Sequence, residues 1–188
     1  FSSAEARAAV EHEFGEPVES LFTSFDDTAI AAASIAQVHF AVTPDGREVA
    51  VKVLRPGIEA AFERDLDLFV WVAELIERTR PELHRLRPVE SVQIFADSVA
   101  MEMDLRFEAA AAAELGENFE DDPILHVPDV DWARTGQRVL TTERVGGIRI
   151  DDRAALIDAG HDPTAILENA ALILFKQVFR DGFFHADM

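Results

Sequence analysis

An α+β fold is what this sequence predicts: a small antiparallel sheet with helices attached before, within and after it. Three observations carry the expectation. Two apolar runs, "IAQVHFAV" and "REVAVKVL", flank Pro44-Asp45-Gly46, which is the pattern of a β-hairpin. Residues 58–78 then place Ile58, Phe62, Leu66, Phe69, Val70, Ala73 and Ile76 on one helical stripe, with charges opposite. Farther on, Asp162-Pro163 is a helix cap followed by proline at the first helical position, and Gly182 ends the apolar stretch it opens.

Taken in order, residues 3–14, "SAEARAAVEHEF", predict a helix stopped near Gly15 and Pro17. Ile30 and the alternating run after it predict the first hairpin strand. In the second strand, alternation puts Val49, Val51 and Val53 on one face and Ala50, Lys52 and Leu54 on the other. Pro56-Gly57 breaks that strand before the helix over 58–78. Residues 89–118 read as one long helix, rich in alanine toward its end. "HVPDVDWA" and "QRVLTTERV" read as strands or extended segments about Thr135-Gly136. Gly146-Gly147 reads as a linker, "DDRAALIDAG" as a short helix, and 163–180 as a longer one.

The length of 188 residues allows one domain, or one and a piece of another. Phe1 at the start and "FFHADM" at the end suggest a piece of something longer. With 36 acids against 17 bases, the net charge of −19 argues against nucleic acid or anionic polymers as general partners. Acidity of this kind also serves solubility and names no partner. The absence of cysteine excludes disulfides and thiolate metal sites. No apolar run has the length of a membrane span.

Lys52 lies within "VAVKVL", where an amine is costly to bury without a partner. An edge-strand lysine whose head snorkels into water would look the same. Upstream, "TAIAAASIAQVHFAV" repeats the spacing Gly-x-Gly-x-x-Gly-x-Val, which covers nucleotide phosphates in protein kinases, with Ala31, Ala33, Ala36 and Val38 in its places. There, Val38 and Ala50 would close over an adenine while Lys52 reaches the phosphates. Such a lysine needs a helical carboxylate, and "MEMDLRFEAA" offers Glu102, Asp104 and Glu108. On a continuous helix, Asp104 and Glu108 lie about 40° apart and Glu102 roughly 120° from Glu108, so rotation would select the partner. A solvated acidic face remains the other reading of these residues. "VLTTERVGG" fits either a plain strand end or a hinge in which the Glu143 carbonyl and the Val145 amide meet an adenine edge. Asp187, in "HADM", lies 44 residues after Glu143 and would return beneath the phosphates, facing Lys52 across a cavity.

Together "AAASIAQVH", "VAVKVLRPGI", the Glu-x-Asp of "EMDLRFEAA", "VLTTERVGGI" and "FFHADM" resemble the UbiB/AarF (ADCK-type) atypical kinase-like family, nearly end to end. The resemblance implies a protein-kinase-like fold. Residues 1–142 would be an N-lobe with an antiparallel sheet and inserted helices, and 143–188 the hinge and the start of a helical C-lobe. It implies an ATP site with Mg²⁺. Lys52 would sit on phosphate, Glu108 as its partner and Asp187 in the catalytic loop. Ala31, Ala33, Ser34, Ala36, Val38, Ala50, Glu143 and Val145 would line the nucleotide, and Glu102 and Asp104 would match a restraining motif. The family supports biosynthesis of ubiquinone or related isoprenoid lipids. ATP hydrolysis or phosphorylation of a small or lipid-like molecule is therefore the expected activity, at a cytoplasmic location peripheral to the inner membrane. A nucleotide- or isoprenoid-binding module assisting other enzymes is the alternative. The family's Lys-x-Gly-Gln motif would fall before Phe1, and its metal-binding Asn and Asp-Phe-Gly-like segment after Met188. No metal ligand is therefore assigned here, and this stretch by itself is expected neither to hydrolyse ATP nor to hold it tightly.

Overall fold

The computed structural model describes residues 1–184. The chain forms two bodies, one from Phe1–Ala109 with Val130–Glu143, the other from Ala110–Asp129 with residues 144 onward.

In the first body, α1 (Ser3–Phe14) starts and stops where expected. Ser2 and Glu5 form a reciprocal capping box, and Gly15 closes the helix at φ 71°, donating its amide to the Glu11 carbonyl. A single turn, α2 (Val18–Leu21), follows. The sheet contains β1 (Ser24–Phe25), β2 (Ala31–Ala32), β3 (Ala36–Val42), β4 (Glu48–Leu54) and β5 (Val139–Glu143). β3, β4 and β5 are consecutive antiparallel neighbours, and β1 and β2 share the outer edge of β3, one at each end.

Both sheet faces are covered, which explains why β4 is nearly all apolar. Val49, Val51 and Val53, together with Val139, meet Val10 of α1, Val18 and Leu21 of α2, Phe22 and Phe25. On the opposite face Ala36, Leu54 and Leu140 pack with Leu105 and Ala109. The alternation read from the sequence therefore places Lys52 beside this second cluster and away from the valine core.

After Gly57, at φ 72°, α3 (Ile58–Thr79) leaves the sheet. A 3₁₀ segment, Pro81–Leu86, turns the chain into α4 (Pro88–Glu102). Phe69 of α3 meets Phe95 of α4 edge-on, with ring centroids 6.5 Å apart. A second apolar stripe on α3, Leu68, Trp71, Val72 and Leu75, is exposed.

The single helix expected over 89–118 is two helices. α4 ends at Glu102, and α5 (Leu105–Asn118) begins after a break at Met103-Asp104. The cause is local. The Asp104 carboxylate accepts the Arg106 amide at 3.1 Å, and the Leu105 amide donates to the Gln137 carbonyl at 2.9 Å instead of continuing the helical ladder. Aspartate competes for backbone amides in this way, so it favours helix starts over interiors. Between 126 and 133 no full strand forms: Val130 makes one isolated bridge to Thr142, and Trp132–Arg134 is a 3₁₀ turn.

In the second body, α6 (Arg153–Asp158) and α7 (Pro163–Phe175) each carry an aspartate cap, Asp152 on Ala155 and Asp162 on Thr164. The helix expected to run to Arg180 widens into a π-type turn at Lys176–Asp181, ended by Gly182 at φ 66°. Lys176 and Arg180 both reach the Asp122 carboxylate, and Arg180 also donates to the Asn118 carbonyl at 2.7 Å.

Candidate functional site

Cross-strand register builds the site. Val38 on β3 stands opposite Lys52, Phe40 opposite Ala50, and on the other side Leu140 opposite Lys52 and Thr142 opposite Ala50. Val38, Ala50 and Lys52 thus share one face through the period of two. Lys52 Nζ donates to Glu108 Oε1 at 2.8 Å and Oε2 at 2.6 Å. The carboxylate comes from the first turn of α5, which Leu105 and Ala109 fix by burial against Leu54 and Leu140. Glu108 thus stands next to a wall of the second core. Its side chain is 49% exposed and that of Lys52 32%, so the pair faces open space.

The alanine loop is a short hairpin. Ala31 pairs with Val38 and Ala32 with Gln37, and the Ala33 amide donates to the Ala36 carbonyl at 2.8 Å. Among the described residues, the only non-glycine with positive φ is Arg87, so the loop turns without the left-handed conformations that glycine would favour. Its tip is tied down. The Arg55 amide donates to the Ile35 carbonyl at 2.7 Å, and Arg55 Nε to the Ser34 carbonyl at 3.1 Å. The Ile35 side chain packs on the cluster of Leu54, Leu105, Ala109 and Leu140.

The three acids of "MEMDLRFE" part company at the helix break. Glu102 ends α4 and is exposed, whereas Asp104 is paired with Arg106, 2.9 Å from Nε to Oδ1 and 2.6 Å from Nη2 to Oδ2. Arg106 beside it holds the Asp104 carboxyl below its ordinary value of 3.8. The wheel geometry read for a continuous helix therefore does not apply, nor does selection of the Lys52 partner by turning one helix. Glu108 is the acid on Lys52 here.

Glu143 is the last residue of β5, paired with Val49. Val145 belongs to the other body and is 52% exposed. Asp187, and with it the carboxylate expected to face Lys52, lies outside the described residues. Sequence reasoning missed Arg55 and Arg106. Arg106, two residues from Asp104, could have been noticed as its partner, whereas Arg55 bonds to Ser34, 21 residues earlier, and its proximity to Lys52 does not signal that contact.

A nucleotide fits what is present. Lys52 would offer an ammonium to phosphate oxygens with its direction set by Glu108, and Val38 and Ala50 would leave a small apolar surface on the same face for a purine. For Mg²⁺ the described residues offer no group of three or more His, Asp or Glu side chains placed to share an ion. The residues described thus fit the nucleotide rather than a complete metal site.

A lysine on the central strand of a small antiparallel sheet, bonded to a glutamate on a helix packed across it, defines a protein-kinase-like class. A solved structure described as the complex of Rv3197 with erythromycin from Mycobacterium tuberculosis has a similar fold. It superposes with TM-score 0.70 at 28% identity, over 81% of this chain and 38% of that one. The ABC1 atypical kinase-like domain matches residues 1–188, and the chain belongs to that family. Among curated relatives, the "probable protein kinase UbiB" of Marinobacter nauticus is 46% identical over the whole chain, and that of Azotobacter vinelandii 42%. The chain spans 34% and 35% of those two proteins, about a third of their length. The expected fold class and the family resemblance both hold.

Proposed function

We propose that this chain is the nucleotide-binding part of an atypical kinase-like protein, with ATP or ADP lying against Val38, Ala50 and Lys52 beneath the Ala31–Ala36 hairpin. The observation that carries the reading is the two-pronged bond from Lys52 to Glu108, an exposed ion pair beside the apolar cluster of Leu54, Leu105 and Leu140. Exposed pairs contribute little to stability, so its placement favours a ligand role. Bound ATP would supply the transferable phosphoryl group, and Mg²⁺ would offset its charge. Lys52 attracts and orients the phosphate oxygens, and Glu108 holds the ammonium in place. Arg106 pairs with Asp104, and Glu102 and Asp104 form the restraining motif. Ser34, Glu143 and Val145 complete the nucleotide residues, and Asp187 stands as the catalytic-loop carboxylate on sequence grounds.

In the whole protein, ATP hydrolysis or phosphorylation of a small or lipid-like molecule would serve the making of ubiquinone or a related isoprenoid quinone. The UbiB name of the relatives supports this reading. Peripheral association with the inner membrane belongs to the same proposal. Among the described residues no helix is long and apolar enough to cross a membrane. A second reading is a module that binds nucleotide or an isoprenoid precursor without chemistry. The pinned loop favours it, as does the erythromycin held by the Mycobacterium tuberculosis protein, which is not a nucleotide. Single-turnover assays with γ-labelled ATP on the full natural protein separate the two. Release or transfer of label that Lys52→Ala abolishes supports the enzyme, and nucleotide binding with no label released supports the module.

A further inference from the structure

The proposed nucleotide loop has an anchor that its sequence pattern does not contain. Glycine-rich phosphate loops gain their mobility from residues free to adopt positive φ. This loop has none, and both carbonyls at its tip are taken by one residue, Arg55. Its backbone amide holds the Ile35 carbonyl at 2.7 Å, and its Nε holds the Ser34 carbonyl at 3.1 Å. The guanidinium is itself fixed, lying 5.6 Å from the centroid of the Phe1 ring. Phe1 in turn is held by Gln37 of β3, whose side-chain amide donates to the Phe1 carbonyl at 2.9 Å. Arg55 also follows Lys52 by three residues, directly after the end of β4. One short stretch therefore carries both the proposed phosphate ligand and the clasp on the loop that would cover it.

We propose that Arg55 is a positioning residue that holds the 33–36 loop down and so sets how long a bound nucleoside phosphate stays. The inference rests on the nucleotide reading above. Opening the loop to release ligand requires breaking the Nε bond to Ser34, whereas the backbone bond to Ile35 survives any side-chain change. The side chain should therefore govern release more than capture.

The test uses the full natural protein with Arg55→Ala, Arg55→Lys and Phe1→Ala, and a fluorescent ADP analogue in stopped flow. Arg55→Ala is expected to speed release by about tenfold, the scale of one charge-assisted hydrogen bond, with the association rate within about twofold. Arg55→Lys, which retains the charge and a donor, should recover part of the slow release, and Phe1→Ala should fall between. Hydrogen exchange at the 33–36 amides, measured without nucleotide, should accelerate in Arg55→Ala while exchange in β4 does not. That contrast distinguishes a clasp from general loss of structure. Unchanged exchange at 33–36 would overturn the clasp, and faster exchange with unchanged release would overturn its control of the ligand. Failure of the wild type to bind the analogue would overturn the nucleotide reading instead, and the exchange comparison would still decide whether Arg55 holds the loop.

Discussion

Replacing Glu108 by Gln separates what α5 does for the fold from what it does for the site. Gln has the same shape and similar helix propensity, so the helix is retained. The charge partner of Lys52 is lost, along with one of its two close acceptors at 2.6 and 2.8 Å. Because Lys52 is 32% and Glu108 49% exposed, solvent screens the pair, and its loss should cost less than about 1 kcal/mol of stability. Three residues earlier on the same helix, Leu105 is 1% exposed and packs with Leu54 and Leu140. Leu105→Ala should cost about 2–5 kcal/mol through lost burial and the cavity left behind. Urea unfolding of both variants reads these values directly. Nucleotide affinity should order the other way. Glu108→Gln should weaken ADP binding by about tenfold, since the ammonium is no longer held in position. A Glu108→Gln variant as unstable as Leu105→Ala, with unchanged ADP affinity, would show that the pair serves the fold and would refute the functional reading.

Further outcomes follow from the structure. Asp131, with its side chain 5% exposed, accepts Arg47 at 2.8 Å and Arg134 at 2.9 Å, so Asp131→Asn should cost about 3–5 kcal/mol in chemical unfolding. Arg47→Ala, at the 54% exposed end of that network, should cost less than about 1 kcal/mol. Asp104 titrates below 3.8 because of Arg106, so its stabilising contribution is complete above that pH and is lost as pH falls through the lowered value. Carboxyl-carbon NMR should place its midpoint below 3.8, and Arg106→Gln should return it upward; an unmoved midpoint would remove Arg106 as the cause. Ala33→Gly should loosen a loop that now turns without positive φ and alter the preference between ATP and ADP; equal affinities before and after would count against a covering role.

How far the sequence carried varied with how local each signal was. Ser2, Glu5 and Gly15 bound α1, and Pro44-Asp45-Gly46 sets the hairpin, because caps and turns are decided by a few neighbouring residues. The break at Asp104 was not visible, because it depends on Leu105 finding the carbonyl of Gln137, 32 residues onward. α2, β1 and β2 were also missed: two- and four-residue elements carry no period to detect. In the site, Lys52 and Glu108 were legible as residue types at a family spacing. The family resemblance implied Glu108 as the partner of Lys52; the helix break that parts it from Glu102 and Asp104 was what the pattern did not show. The Arg55 clasp joins a strand end to a loop tip 21 residues earlier, and nothing in the local pattern announces it.

The most direct measurement follows the methyl groups of Ala31, Ala33, Ala36, Ala50 and Val38 by NMR as ADP is added to the natural protein and to its Lys52→Ala variant. Saturable shifts confined to these methyls in the wild type, and absent in the variant at the same ADP concentration, are the expected result. Shifts that cluster elsewhere, or that persist undiminished without Lys52, would contradict a nucleotide site on this sheet face.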